Sequence, residues 1–148
     1  MSLRDWYEKA SSEKTGIRHL TEEQANAYLD LLAVPNQPGM KLLEVGFGDG
    51  SFLQQAMKRV DCVGIYTDDA HYKAAAQRLG ETAGTGVLVE CALEDMRFYP
   101  EKFHFIFMIG QAPNDKEAQV IQVLLHRYGK YCIVDANGTV VTGVKEPI

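Results

Sequence analysis

The stretch Leu42-Leu43-Glu44-Val45-Gly46-Phe47-Gly48-Asp49-Gly50-Ser51 decides how this chain folds. It opens as a short apolar run broken only by an acid, and it continues into three glycines at alternate positions, Gly46, Gly48 and Gly50. Missing side chains let a backbone turn sharply and let a ligand lie against it, as a nucleotide-binding turn between strand and helix requires. The spacing also separates ligand classes. The dinucleotide fingerprint is Gly-x-Gly-x-x-Gly or Ala, whereas here Ser51 holds the sixth position and the third glycine comes one place early. That counts against NAD and flavins. No Gly-Lys-Ser/Thr tail follows to hold phosphates and Mg²⁺, which counts against nucleoside triphosphates.

Outward from this turn, short apolar runs alternate with amphipathic stretches, the signature of a parallel sheet with helices on its faces. The pattern predicts strands over 41–45, 62–66, 86–91, 103–109 and 131–134, with a last β-rich run over 139–144. Helices are predicted over 51–59, 70–79 and 116–128, and the segment 94–102 reads as a polar surface loop. Upstream, a polar helix is predicted over 5–14. A second opens at Thr21 with Glu22 and Glu23 in its first turn, carries Ala25, Tyr28, Leu29 and Leu32 at helical spacing, and stops before Pro35. The expected fold is α/β, a doubly wound, mainly parallel sheet with helices on both faces. The expected organisation is a single domain over 1–148, with an N-terminal helical segment over 1–38 and an α/β core over 39–148.

Composition narrows the function. At 148 residues the chain has the length of one ordinary domain, able to bury a core without a metal or disulfide staple. Twenty acidic against fifteen basic residues give a net charge of -5, which argues against a nucleic-acid face and favours a small-molecule substrate. No apolar run is long enough to span a bilayer and no secretory leader is evident in the first residues, so a soluble, cytoplasmic protein is expected. Cys62, Cys91 and Cys132 each fall in a predicted strand and are expected to be plain buried thiols. His19, His71, His104 and His126 are scattered, so no metal is expected.

The run 42–50, an acid followed by Gly-x-Gly-x-Gly, resembles the first motif of the class I S-adenosylmethionine-dependent methyltransferases. Leu20-Thr21-Glu22-Glu23-Gln24, Val63-Gly64-Ile65, Phe103-His104-Phe105-Ile106 and the segment 125–135 resemble the family's lead-in helix and its second, fourth and fifth strands. The resemblance implies S-adenosyl-L-methionine as cofactor and methyl transfer to a small-molecule acceptor. It implies that Gly46, Phe47, Gly48 and Gly50 approach the cofactor and that Glu44 anchors its amino-acid end, since a carboxylate offers only acceptors to an ammonium group.

The chain also departs from the family. The acid that ends the second strand and grips the ribose is replaced by Tyr66, followed by Thr67. Asp68 and Asp69 come slightly later, either reaching the ribose or capping the next helix. After the third strand Ala92 stands where an acid would meet the adenine, leaving Glu94 and Asp95 as substitutes. His104 replaces the fourth strand's Asp and reads as an ordinary strand residue. Gly110-Gln111-Ala112-Pro113-Asn114-Asp115 is expected at the crevice mouth, as acceptor-orienting or simple loop-forming residues, and Trp6, Tyr7 and Arg18 are lid candidates. The family's Asn-Pro-Pro-aromatic signature for amino groups of bases or glutamine is absent. About a dozen residues follow the fifth strand, too few for the family's usual helix and strand pair, so the last strand is expected at an edge that invites a homodimer. The alternative reading is a domain that binds this cofactor or another nucleotide without turnover, or that serves as a protein-interaction module.

Overall fold

Lys41–Val45 forms the central strand, β1, because the run must be covered on both sides. Leu42 and Leu43 point to opposite faces and both are fully buried. β1 pairs in parallel with β2 (Asp61–Tyr66) on one side and with β4 (Phe103–Ile109) on the other. The sheet is completed by β3 (Gly86–Glu90), β5 (Leu125–Val134) and β6 (Val140–Val144), in the order β3-β2-β1-β4-β5-β6. All pairs are parallel except β5 with β6. The computed structural model describes residues 19–80, 86–98 and 100–146. The predicted helix over 5–14 and the lid candidates Trp6, Tyr7 and Arg18 lie outside the described residues.

Two cores sandwich the sheet. One packs helices α1 (Glu22–Leu31), α2 (Ser51–Ala56) and α3 (Asp69–Leu79) against Leu42, Phe105, Phe107 and Val134. Phe52 stacks on Phe107 with ring centroids 4.1 Å apart, and Tyr28 lies across the same ring at 5.1 Å. The other packs α4 (Asp115–Leu124) and a 3₁₀ segment, Leu93–Phe98, against Leu43, Val45, Ile106 and Met108. Helices on both faces and a central first strand are the doubly wound arrangement the sequence pattern predicts. Among the described residues no helix is long and apolar enough to cross a membrane.

The helix starts follow from their caps. Thr21 and Gln24 form a reciprocal capping box at α1, with Gln24 N donating to Thr21 Oγ1 at 3.1 Å and Thr21 N donating to Gln24 Oε1 at 2.7 Å. Asn114 and Glu117 do the same at α4. α1 ends ahead of Pro35, capped at Leu32 and followed by Ala33, whose φ of 57° is left-handed. Three expectations are corrected. The helix predicted over 116–128 stops at Leu124, because Leu125 turns extended and pairs with Phe103, both of them buried. The apolar spacing Val120, Leu124, Tyr128 imitated one more turn, yet Tyr128 is 77% exposed on a strand. The segment predicted as a polar loop over 94–102 instead begins within the 3₁₀ segment and buries Met96. Cys91 follows β3 rather than ending it and is half-buried, unlike the buried Cys62 and Cys132.

At the amino ends of the strands, His104 Nδ1 accepts from Lys41 N at 3.1 Å and its ring stacks on His126 at 4.4 Å. Burial, then His126 and Lys41, hold its pKa below the ordinary imidazole value. His104 is thus a structural strand residue at the end remote from the carboxyl-end crevice.

Two predictions follow from these contacts. Gly50 has φ of 81°, and a Cβ there would lie 3.0 Å from Ala75 Cβ and 3.2 Å from Ala75 Cα. Gly50→Ala is expected to cost about 2 kcal/mol or more, from left-handed strain and overpacking together, read as a lowered urea midpoint at unchanged slope. For His104 the unfolded chain binds the proton more tightly than the folded one. The stability carried by the neutral ring is complete above the ordinary imidazole pKa and is lost as pH falls from there towards the lowered folded value. His104→Asn, which keeps an acceptor for Lys41 N, should therefore show a shallower loss of urea midpoint than the parent between about pH 7 and about pH 5.5.

Candidate functional site

β1 runs into α2 through a turn in which Gly46, Gly48 and Gly50 have φ of 70°, 59° and 81°. Gly46 N donates to Ile65 O at 3.0 Å, the last rung between β1 and β2, and Gly50 N closes onto Phe47 O at 3.0 Å. Phe47 points inward, buried, with its ring edge against Tyr66 at 5.5 Å. The turn is tied down by Asp49. Its Oδ1 accepts from Ser51 N at 3.0 Å, and its Oδ2 lies 2.6 Å from His19 Nδ1 and 3.2 Å from Arg78 Nη2. Ser51 Oγ accepts from Leu20 N at 2.8 Å, so the lead-in to α1 is fastened to the turn at two points.

Above the turn, at the carboxyl ends of the strands, lies a cavity of about 390 Å³. β1 contributes Val45 with Gly46 just after it, β2 contributes Ile65 and Tyr66 with Thr67 just after it, and the segment after β3 contributes Cys91, Ala92 and Leu93. β4 contributes Met108 and Ile109, followed by Gly110 and Gln111; His71 of α3 and Glu117 of α4 complete the wall. This is the crevice where β1's two neighbours leave in opposite directions, the place where open α/β sheets bind ligands. Its volume falls in the range of small-molecule sites, and most of its wall is apolar with a few polar groups. A Cβ built on Gly46 meets no protein atom within 4 Å, so a side chain there would occupy open space at the cavity wall.

The sequence-predicted residues divide clearly. Gly46, Tyr66 and Thr67 line the cavity. Glu44 lies buried on β1 at 1% exposure, in register with Gly64 and Phe107, one position before the lining Val45. Gly48 and Gly50 shape the turn, and Gly50 packs on Ala75. Asp68 caps α3, its Oδ1 accepting from Ala70 N at 2.9 Å, and it does not line the cavity. Asp69 follows it into α3 and pairs with Lys73. Glu94 pairs with Lys116 at 3.5 Å and Asp95 is exposed; both stand outside the cavity wall, while Ala92 and Leu93 are in it. Gly110 and Gln111 reach the cavity as the position after the fourth strand implied.

Sequence reasoning missed several residues. His71, Cys91 and Glu117 line the wall from helix starts and a strand end, positions legible only once the sheet order is known. Glu90, the last residue of β3, is the register partner of Tyr66. Tyr66 also stacks on Tyr72 at 5.3 Å, and burial together with Glu90, Tyr72 and Asp69 raises its phenol pKa. The phenol is therefore a neutral hydrogen-bond donor beside carboxylates. Burial and Asp95 raise the Cys91 thiol, whose Sγ lies 3.2 Å from Ala92 O, so it reacts more slowly than a free thiol without being shut off from solvent as Cys62 and Cys132 are. Among the described residues no group of three or more metal-ligating side chains converges.

The sequence matches no family model and no curated protein. Solved structures do match. Phosphoethanolamine N-methyltransferase 2 of Haemonchus contortus, solved with S-adenosyl-L-methionine, superposes with a TM-score of 0.70 at 21% identity, over 90% of this chain and 35% of that one. A SAM-dependent methyltransferase of Aquifex aeolicus gives 0.64 at 16% identity, over 75% and 63% of the two chains. Precorrin 8w decarboxylase of Methanobacterium thermoautotrophicum gives 0.68 at 14%, over 82% and 67%. The chain spans about half the length of many of the structures it matches, 46% and 51% in two further cases. With its glycine turn, its central first strand and these neighbours, the chain has the fold of the class I S-adenosylmethionine-dependent methyltransferases.

Proposed function

We propose that this chain binds S-adenosyl-L-methionine across the carboxyl ends of β1 to β4 and transfers its methyl group to a small-molecule acceptor. The observation that carries this reading is Gly46. It is a left-handed residue at the wall of a 390 Å³ cavity, at the switch point of the sheet, where a Cβ would meet no protein atom. The turn from Gly46 to Gly50 presents backbone to a ligand, Glu44 lies next to it as a buried carboxylate, and Ala92 and Leu93 offer an apolar wall to a base. Tyr66 and Glu90, side by side at the ends of β2 and β3, are the nearest replacement for a ribose-gripping acid, a phenol donor with an adjacent carboxylate acceptor.

The cofactor supplies an electrophilic methyl group on a positive sulfonium. What the protein must add is alignment of the acceptor and exclusion of water, a proximity effect of ~7 kcal/mol or more in well-oriented cases. Thr67, His71 and Gln111 bring polar side chains to the cavity wall that can orient an acceptor, while Glu117 Oε1 is engaged by Asn114 N at 3.1 Å. A second reading, cofactor binding without turnover, is favoured by Tyr66 and Ala92, which stand where the family's acids would be, and methyl consumption with candidate acceptors separates it from the first.

Isothermal titration with S-adenosylmethionine and S-adenosylhomocysteine is expected to give micromolar affinity for both and none for NAD. Gly46→Val should weaken binding at least tenfold, about 1.4 kcal/mol, in a protein that still folds by circular dichroism but with a lowered urea midpoint, since a β-branched residue is strained at φ of 70°. Unchanged affinity in that variant would remove the turn from the site.

A covalent readout is independent of affinity. In the folded protein a maleimide should label Cys91 alone, because Cys62 and Cys132 are buried, the latter pushed up to about 12 by burial. S-adenosylhomocysteine should slow that labelling, followed by mass spectrometry, since Cys91 lines the cavity.

A further inference from the structure

Among the described residues the far edge of the sheet is β6, Val140-Val141-Thr142-Gly143-Val144, whose own residues include no Lys, no Pro and no charge, while its last carbonyl, at Val144, is reached by the Gln122 side chain of α4. Its ladder with β5 is regular over five residue pairs, without a bulge. Asp135 N donates to Thr139 O at 3.0 Å and Lys145 N to Gly129 O at 2.9 Å, which fixes the phase of that ladder. Odd-numbered residues of β6 face β5 with their backbone groups, so Val140, Thr142 and Val144 turn theirs outward. Of these, Val144 O receives Gln122 Nε2 at 3.4 Å. The strand is bounded just beyond, where Lys145 Nζ donates to Gln122 O and Glu146 N to Gln122 Oε1.

We propose that β6 pairs antiparallel with β6 of a second copy of this chain, about a two-fold axis at Thr142, joining the two sheets into one. The outward residues are self-complementary in this register: Val140 meets the partner's Val144, Thr142 its own counterpart, and Val144 the partner's Val140. Such a patch, facing itself across a two-fold axis, gives a closed dimer. The side chains agree with the backbone. Val144, 59% exposed, gains a β-branched cross-strand neighbour. Val141, 49% exposed beside a hollow of about 270 Å³ with Ile121 and Ile133, comes opposite the partner's Gly143. That glycine has no side chain to clash, and its own face is covered by Tyr131, whose ring lies where a Cβ would be. No like charges meet across the pairing, because the strand has none.

Sedimentation equilibrium of the 148-residue chain at micromolar concentration tests this. The expected mass is twice that of one chain, falling to a single chain in Thr142→Pro. That substitution removes an outward N–H and leaves the β5 ladder intact, so circular dichroism should not change. Cross-linking tests the register without relying on that variant. In a Cys91→Ser background, Thr142→Cys should oxidise to a covalent dimer, because a hydrogen-bonded antiparallel pair sets Cα atoms ~5.5 Å apart, within bridging range. Val140→Cys should not, since the axis sets the two copies of that residue about four residues apart, roughly 13 Å along the strand. Val140→Cys combined with Val144→Cys should restore the cross-link. A parent chain that sediments as a monomer, a dimer that survives Thr142→Pro, or cross-linking at Val140 alone would each overturn the proposal.

Discussion

The structure depends on what happens to the backbone at the end of β1. That strand is hydrogen-bonded on both sides and buried on both faces, so it cannot shift without unpairing the sheet. Its carboxyl end must nevertheless turn out into α2 within five residues while leaving space for a ligand. Left-handed backbone at alternate positions satisfies both demands, and glycine adopts it with the least strain. The side chain between the last two glycines then holds the turn in place. Asp49 draws together His19 ahead of α1, Arg78 near the end of α3 and the start of α2, so three segments remote in sequence converge under the cavity.

Much of this was legible because the responsible physics is local. The glycine spacing, the Thr21 cap and the strand runs each rest on a few adjacent residues, and the doubly wound, mainly parallel arrangement followed from alternating strands and helices. What failed depended on distant partners. Val120, Leu124 and Tyr128 keep helical spacing, but Phe103, across the sheet, captures Leu125 into a strand. Met96 reads as part of a polar loop until the core under α4 is seen to bury it.

The site shows the same division. Gly46 and Tyr66 could be placed on the wall from the first motif and the strand end alone. Asp68 and Glu94 could not be judged from type, because a carboxylate near a helix start serves a cap or an ion pair as readily as a ligand, and here one caps α3 and the other pairs with Lys116. Glu90 was overlooked for the converse reason: its nearness to Tyr66 is a fact of register across two strands, invisible along either.

The aromatic shelf at the end of β2 has a consequence for which ligands the crevice admits. Tyr66 stacks on Tyr72 and meets Phe47 edge-on, and desolvation, then Glu90, Tyr72 and Asp69, raise its phenol above the ordinary value. A group lying on that shelf meets a ring face and a hydroxyl donor rather than a carboxylate, so the shelf suits flat groups that carry an acceptor.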